Sequence, residues 1–384
     1  MGDAALDRDA LYYPYIHVTD INWLKSTLLC FPNIRRMVPS GYTPNDSPEI
    51  REFCEVIGPR GTPLLTSVDL LSPGALAAER RLLETLQEND AFVRSHYCRA
   101  KTFEEYGASA DQFLLHDEKI GFSPLHAYLV GTEGADALAW HAPAPVDRPT
   151  RGNGMWLATH PRLGSAILAV KAIAIADEFG FDIVTDSSPV HQTIVTATEE
   201  DIFNHLIGQP VAHERREPDD IADDLAELVI ATTFDVSKLS AAQIANLLSD
   251  GKDLRRFKDD LIPLASTLRA IKDPEERRQR VRVTANEVVE NWNTYKKSLP
   301  RFALDALVDA GEVKVPEVAL NVILGGGAWH VAGGAGLGIF LVSYAGLRIW
   351  RKYKKESSSP YAYLSRISKE QAKSQTFLHV SPLA

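Results

Sequence analysis

Cysteine is scarce in this sequence: only Cys30, Cys54 and Cys98, an odd number without a C-x-x-C spacing. Such a set builds neither a disulfide framework nor a zinc site, so reduced thiols and a cytoplasmic setting are expected. A surplus of positive charge is also missing. The formal net charge of -10 argues against a nucleic-acid partner, because phosphate contacts need Lys and Arg spread over an extended face. The acidic opening Met1–Asp7 has neither a charged n-region nor an apolar h-region, so no secretion signal is expected there. Nucleotide-binding loops are absent as well: no Lys-Ser or Lys-Thr follows the glycines of Gly333-Gly334-Ala335-Gly336-Leu337-Gly338, and their spacing misses the dinucleotide fingerprint. In His213-Glu214-Arg215-Arg216-Glu217 a glutamate stands where a zincin helix needs its second histidine. Neither a cofactor nor a metal is therefore expected.

What is present is an ordinary globular composition, 45% hydrophobic and 24% charged, over 384 residues, enough for two domains with a sizeable core. The pattern predicts an α+β, mostly helical protein: an N-terminal α/β domain, then a helical hairpin domain with a Gly-rich apolar C-terminal segment. The aromatic run over residues 11–18 reads as a first strand, with Pro14 better tolerated at an edge or strand end. Asp20 then caps a helix whose Trp23, Leu24, Thr27, Leu28 and Phe31 share one face until Pro32. Ser67 and Ser72-Pro73 are two helix-start signals, followed by Leu76, Leu82, Leu83 and Leu86 at helical spacing. Residues 113–156 are interrupted by Pro and Gly and show no regular order, with an exposed loop over 142–149. A strong helix follows from His160-Pro161 to Gly180, then a short strand and turn over 181–186.

The acidic, proline-containing stretch at 217–220 places a boundary near 215. The expected divisions are 1–215, the α/β domain; 216–315, a helical domain with an antiparallel hairpin at about 251–299; 316–355, a Gly-rich apolar segment with a basic flank; and 356–384, a polar tail. The hairpin rests on two seams. Leu254, Phe257, Leu261, Leu264, Leu268 and Ile271 step by threes and fours, and Val281, Ala285, Val288, Trp292, Tyr295 and Leu299 do the same beyond Asp273-Pro274. Ser240 with Gln243 fits a capping box just before them. Such a hairpin either packs within its own domain or joins copies into a homo-oligomer.

Residues 318–347 carry no charged side chain, a run longer than the roughly 20 residues that cross a bilayer as one helix. Gly334 and Gly338 have the spacing that lets helices approach closely in lipid, and the same small residues also suit tight packing in a protein core. Arg348, Arg351, Lys352, Lys354 and Lys355 follow at once and would be held near anionic headgroups. A cytoplasmic body with a single span would put these basic residues outside. Two halves of about fifteen residues each reach only roughly 22 Å as helices, so a shallow hairpin fits the inner membrane better than a full crossing. An anionic membrane surface, a protein partner or a second copy of the chain are thus the expected partners.

For chemistry, the groups worth testing are His116, Asp117, Glu118 and Lys119, together with His160 and Asp186. His116, Lys119 and Asp186 are the catalytic candidates, since a histidine with carboxylates can move protons, although their spacing matches no triad or metal signature. If they act together they must converge on one pocket.

Tyr12-Tyr13-Pro14-Tyr15-Ile16-His17 with Trp23-Leu24-Lys25, then His160-Pro161-Arg162-Leu163-Gly164 and Val184-Thr185-Asp186, resembles an uncharacterised bacterial family of unknown-function proteins. The likeness covers most of residues 11–215, and Pro360-Tyr361-Ala362-Tyr363-Leu364 is similar to the ends of some members. It implies a bacterial cytoplasmic setting and supplies no activity, substrate or catalytic residue. Comparably built bacterial proteins act in toxin or phage-defence systems, a likeness of architecture alone.

Overall fold

The structure is a computed structural model that describes residues 8–39, 42–106, 113–121, 123–142, 156–186, 198–209, 218–249, 251–271, 274–298 and 361–378. It is a mixed α and β protein, mostly helical. By contacts the chain divides into two units, one of Arg8–Leu24 with Phe31–Arg216, the other of Lys25–Cys30 with Glu217–Ala384 and Met1–Asp7.

The first unit begins with β1 (Ala10–Tyr12), the opening turn, to Leu24, of α1 (Ile21–Leu28), then β2 (Ile34–Arg36), α2 (Pro48–Glu55), β3 (Leu65–Ser67), α3 (Pro73–Glu88), α4 (Asp90–Tyr97) and α5 (Arg99–Tyr106). It continues with β4 (Phe113–His116), α6 (Pro124–Val130), β5 (Ala139–Ala142), β6 (Trp156–Thr159), α7 (Pro161–Phe179), β7 (Asp182–Val184) and α8 (Glu199–Leu206). Four strands form a parallel sheet in the order β3-β2-β1-β7, with Leu11 opposite Arg35 on one side and Ile183 on the other.

All three β1 residues are fully buried, as expected of a central strand covered on both faces. This shortens the strand expected over residues 11–18. A central strand needs ladder hydrogen bonds on both sides, and Pro14 has no N–H to give, so pairing ends at Tyr12. Asp20 does cap α1, its Oδ1 accepting from the N–H of Asn22 at 2.8 Å and of Trp23 at 3.1 Å. The helix stops at Leu28, before Pro32 is reached.

Ser72 is the real start of α3, its hydroxyl accepting from the Ala75 N–H, whereas Ser67 closes strand β3. Leu76, expected inside, is 38% exposed, because the buried row is Ala75, Ala78, Leu82 and Leu86 and Leu76 points away from it. The irregular stretch from 113 holds a second sheet, antiparallel and ordered β4-β6-β5, with Leu115 opposite Leu157 and His141 opposite Leu157 on the other side. Of the expected loop, Ala142 ends β5 and residues 143–149 lie outside the described residues.

Helix α7 is the axis of this unit. Every residue from Leu163 to Ala176 is buried, the signature of a helix apolar all round. A side chain at Gly164 would collide with the Phe113 ring and the Thr159 methyl, so glycine here lets the helix lie directly on the second sheet. Gly180 ends it in the left-handed region at φ +67°, where L side chains are strained.

The second unit holds α9 (Pro218–Thr233), α10 (Ala241–Leu248), α11 (Gly251–Arg269), α12 (Pro274–Ser298) and α13 (Ala362–Leu378). Ser240 and Gln243 form the capping box of α10 in both directions. Helices α11 and α12 meet, but α11 packs most extensively on α9, so the seam faces more than the other arm of a hairpin. Leu254, Phe257, Leu261 and Leu268 are buried, while Leu264 is half-buried and Ala265 takes the inward place. The shift follows from the 3.6-residue turn: after Leu261 the inward direction falls four residues on. In α12 Val281, Ala285, Val288 and Trp292 are buried as one row; the Tyr295 side chain and Leu299 lie outside the description. Trp292 has its ring 6.2 Å from Phe234 and 6.1 Å from Tyr361. The expected polar tail contains α13, whose Tyr363, Leu364 and Ile367 are fully buried, with the Tyr363 hydroxyl donating to the Leu29 carbonyl at 2.6 Å.

Among the described residues no helix is long and apolar enough to cross a membrane. Residues 299–360, with Gly334, Gly338, Arg351, Lys352, Lys354 and Lys355, lie outside them.

Candidate functional site

The chain leaves β1 to build β2 and β3 on one side, then returns to place β7 on the other. In an open parallel sheet such a reversal leaves a crevice at the carboxyl ends of the two diverging strands, the usual position for a ligand. Here residues 13–20 follow β1 and Thr185-Asp186 follow β7.

Asp186 joins the two. The Tyr12 hydroxyl lies 2.7 Å from its Oδ1 and 3.0 Å from the His17 carbonyl oxygen, and the nearer carboxylate claims the proton. Asp186 Oδ2 accepts from the Thr19 N–H at 3.1 Å and from the Thr19 hydroxyl at 2.9 Å. A carboxylate has about four lone-pair positions, so one remains on Asp186.

His17, half-buried, has Nε2 3.1 Å from the Tyr42 hydroxyl. The Tyr42 ring in turn stands edge-on to both His17 and His116, with centroids 5.8 and 5.2 Å away. His116 meets Trp156 edge-on at 5.3 Å, and its Nδ1 is 3.4 Å from Asp117 Oδ1. Lys119 Nζ donates to the Pro14 carbonyl at 2.9 Å. Behind it Lys171 donates to the Lys119 carbonyl and pairs with Glu79 Oε2 at 2.9 Å, both side chains buried. At the end of β2, Arg36 makes a two-pronged pair with Asp46 at 2.9 and 2.7 Å, also buried.

His116, Lys119 and Asp186 are thus gathered around the loop after β1, but not as an exposed acid-base trio. His116 is 2% exposed and Lys119 4%, and both brace the loop from within. The Glu118 side chain lies outside the described residues. His160 is elsewhere. It caps α7, with Nδ1 accepting from the Arg162 N–H at 3.2 Å, and its Nε2 is 3.2 Å from Glu105 Oε2. Burial holds its imidazole below the ordinary range, against a smaller upward pull from Glu105.

The half-buried groups at the mouth, His17 and Asp186, with exposed Thr19 and Asp20, are the ones a ligand can reach. Of these only Asp186 stood out in the sequence. His17 sat inside what read as a strand, and only its partner Tyr42, twenty-five residues on, marks its role. A cavity of about 930 Å³ lies away from this chemistry, between α3, α7 and α8, lined by Arg81, Asp177, Glu178 and Glu199 among others. Arg81 there is paired twice with Glu199, and Glu178 accepts from the Ser72 hydroxyl and the Gly74 N–H, so these groups serve packing. Among the described residues no three His, Cys, Asp or Glu side chains come together to hold a metal ion.

No protein-family model, curated protein or solved structure matches this chain.

Proposed function

We propose that this chain is a bacterial interaction or effector protein, of the kind used in toxin or phage-defence systems, whose α/β unit recognises a partner while its C-terminal apolar segment associates with the inner membrane. The observation that carries this reading is in the sequence: thirty uncharged residues, 318–347, followed directly by Arg348, Arg351, Lys352, Lys354 and Lys355. Apolar insertion and headgroup attraction would then act at adjoining positions. The crevice at the sheet's carboxyl end supports a recognition role for the α/β unit.

The alternative of a soluble hydrolase or nuclease using His116, Lys119 and Asp186 has less support, because two of the three are buried behind the loop rather than presented to solvent. A scaffold oligomerising through its helices also has less, since the buried rows of α11 and α12 are covered within their own unit.

Vesicle co-sedimentation of the full-length protein, beside thermal melting, tests the proposal. Gly334→Asp should abolish sedimentation and leave the melt intact, since a carboxylate near a bilayer centre costs about 2.5 to 3.5 kcal/mol. Replacing Arg351, Lys352, Lys354 and Lys355 by Gln should weaken binding to anionic vesicles more than to neutral ones, at roughly 1 kcal/mol per basic residue. A wild-type protein that never sediments, together with an early melt confined to the Gly334→Asp variant, would refute the membrane reading in favour of a buried segment.

A further inference from the structure

The cavity of about 930 Å³ between α3, α7 and α8 lies wholly within the first unit. Its floor is apolar, made by Ile173, Ala174 and the half-buried ring of Phe203. Its rim is acidic: Asp177, Glu178, Glu199, Glu200 and Asp201 stand against Arg81, the one cation among the described lining residues.

Three of these carboxylates already have donors. Glu199 pairs twice with Arg81, at 2.9 and 2.8 Å, which neutralises that arginine. Glu178 accepts from the Ser72 hydroxyl and the Gly74 N–H, and Asp201 closes the capping box of α8 with Thr198. Asp177 and Glu200 are different: both reach solvent, and neither has a hydrogen bond or ion pair among the described residues. Partial burial, with the Glu199 charge adding to it, holds the Asp177 carboxyl above its ordinary range, an effect that a cation in the cavity would reverse.

The lining rules out most occupants. An anion would meet carboxylates and no unpaired cation. A metal ion lacks a place, since no three His, Cys, Asp or Glu side chains come together among the described residues. A second copy of this chain carries the same formal charge of -10 and would be repelled. A bare polyamine would satisfy the carboxylates but leave the apolar floor uncovered, and the volume is that of a pocket for a ligand with a body of its own, roughly 300 to 1,000 Å³. A peptide segment carrying both basic and apolar side chains matches charge, floor and volume together.

We propose that the cavity between α3, α7 and α8 docks a basic segment of a partner protein, its Lys or Arg side chains reaching Asp177 and Glu200 and an apolar side chain lying on Ile173, Ala174 and Phe203. This rests on the reading of the α/β unit as the recognition module and gives its partner a chemistry.

Fluorescence anisotropy of a dye-labelled hexapeptide alternating lysine and leucine, titrated with the full-length protein, is the test. This peptide should bind, its glutamate–leucine counterpart should not, and spermidine should compete only weakly. Asp177→Asn with Glu200→Gln should weaken binding about fivefold, the scale of one or two exposed ion pairs, and leave the melt unchanged because neither side chain has a partner. Glu133→Gln with Asp136→Asn removes two exposed charges of the same unit outside the cavity lining and should leave affinity unchanged. Ala77→Leu narrows the cavity at constant charge and should weaken the peptide more than spermidine; if it does not fold, the two charge-removing pairs decide alone. No binding, equal losses in those two pairs, or spermidine as tight as the peptide would overturn the proposal, the last by making the occupant a small polycation. So would a dimer in sedimentation velocity that Ala77→Leu dissolves, which gives the cavity to a second copy. Failure of peptide binding with wild-type vesicle sedimentation intact removes this site and leaves the membrane reading standing; peptide binding without sedimentation does the reverse.

Discussion

The two ends of the parallel sheet hold their carboxylates differently, with arginines at the amino end and with hydroxyl and backbone donors at the carboxyl end. Asp9, 2% exposed, is closed off by two arginines, so its negative charge is balanced where water cannot reach it. Asp186 is half-buried, holds Tyr12 and Thr19, and keeps its charge uncompensated among the described residues. The same strands thus end in a neutralised seam on one side and an acidic, acceptor-rich mouth on the other.

The largest effect should come from the support behind the mouth. Glu79→Gln leaves the Lys171 ammonium buried among neutral oxygens without a counter-charge, and should cost about 3 to 5 kcal/mol in denaturant unfolding. Adding Lys171→Met should recover most of that loss, because no unbalanced charge then remains. If the single variant unfolds like wild type, the pair is not the brace described here.

A smaller, pH-dependent effect belongs to His160. Its folded pKa lies below the unfolded value of about 6.5, so its stabilising contribution is complete above that pH and declines as pH falls toward the folded pKa. The groups around it are Tyr97, Tyr106, Glu105 and Arg162, with Glu105 working against the shift and Arg162 reinforcing it. His160→Asn keeps a cap on α7 without a titrating ring. The melting temperature should therefore fall less between pH 7 and pH 5 in this variant than in wild type, and equal slopes would show that burial of His160 has no bearing on acid stability.

Much of the fold was legible in the sequence, and what was not has physical reasons. Helix α7 was readable because Pro161 and Gly180 bracket a continuous apolar run, and α10 because Ser240 and Gln243 cap each other. The second sheet was not: β4, β5 and β6 have four residues each, and their pairing joins Phe113 to Thr159 across forty-six positions, a distance no local period encodes. Leu264 was misplaced because a strict heptad drifts from a 3.6-residue helix, which Ala265 follows instead. At the site, Asp186 was found as a carboxylate after a strand. Its role was not, because a crevice at a strand reversal exists only once β7 is seen beside β1. His17 and Tyr42 escaped notice for the same reason.

The contrast between the two ends is tested most directly by one paired measurement, denaturant unfolding of Asp9→Asn beside Asp186→Asn at low and at high salt. Removing the Asp9 charge should cost about 2 to 3 kcal/mol at low salt and less at high salt, because its partners Arg35 and Arg60 are part-exposed and salt screens them. Asp186→Asn puts an NH2 group against one of its three hydrogen-bond donors and should cost about 1 to 3 kcal/mol at both. A salt-dependent loss at Asp186 with a salt-independent one at Asp9 would contradict the assignment of ion pairing to one end and neutral hydrogen bonding to the other.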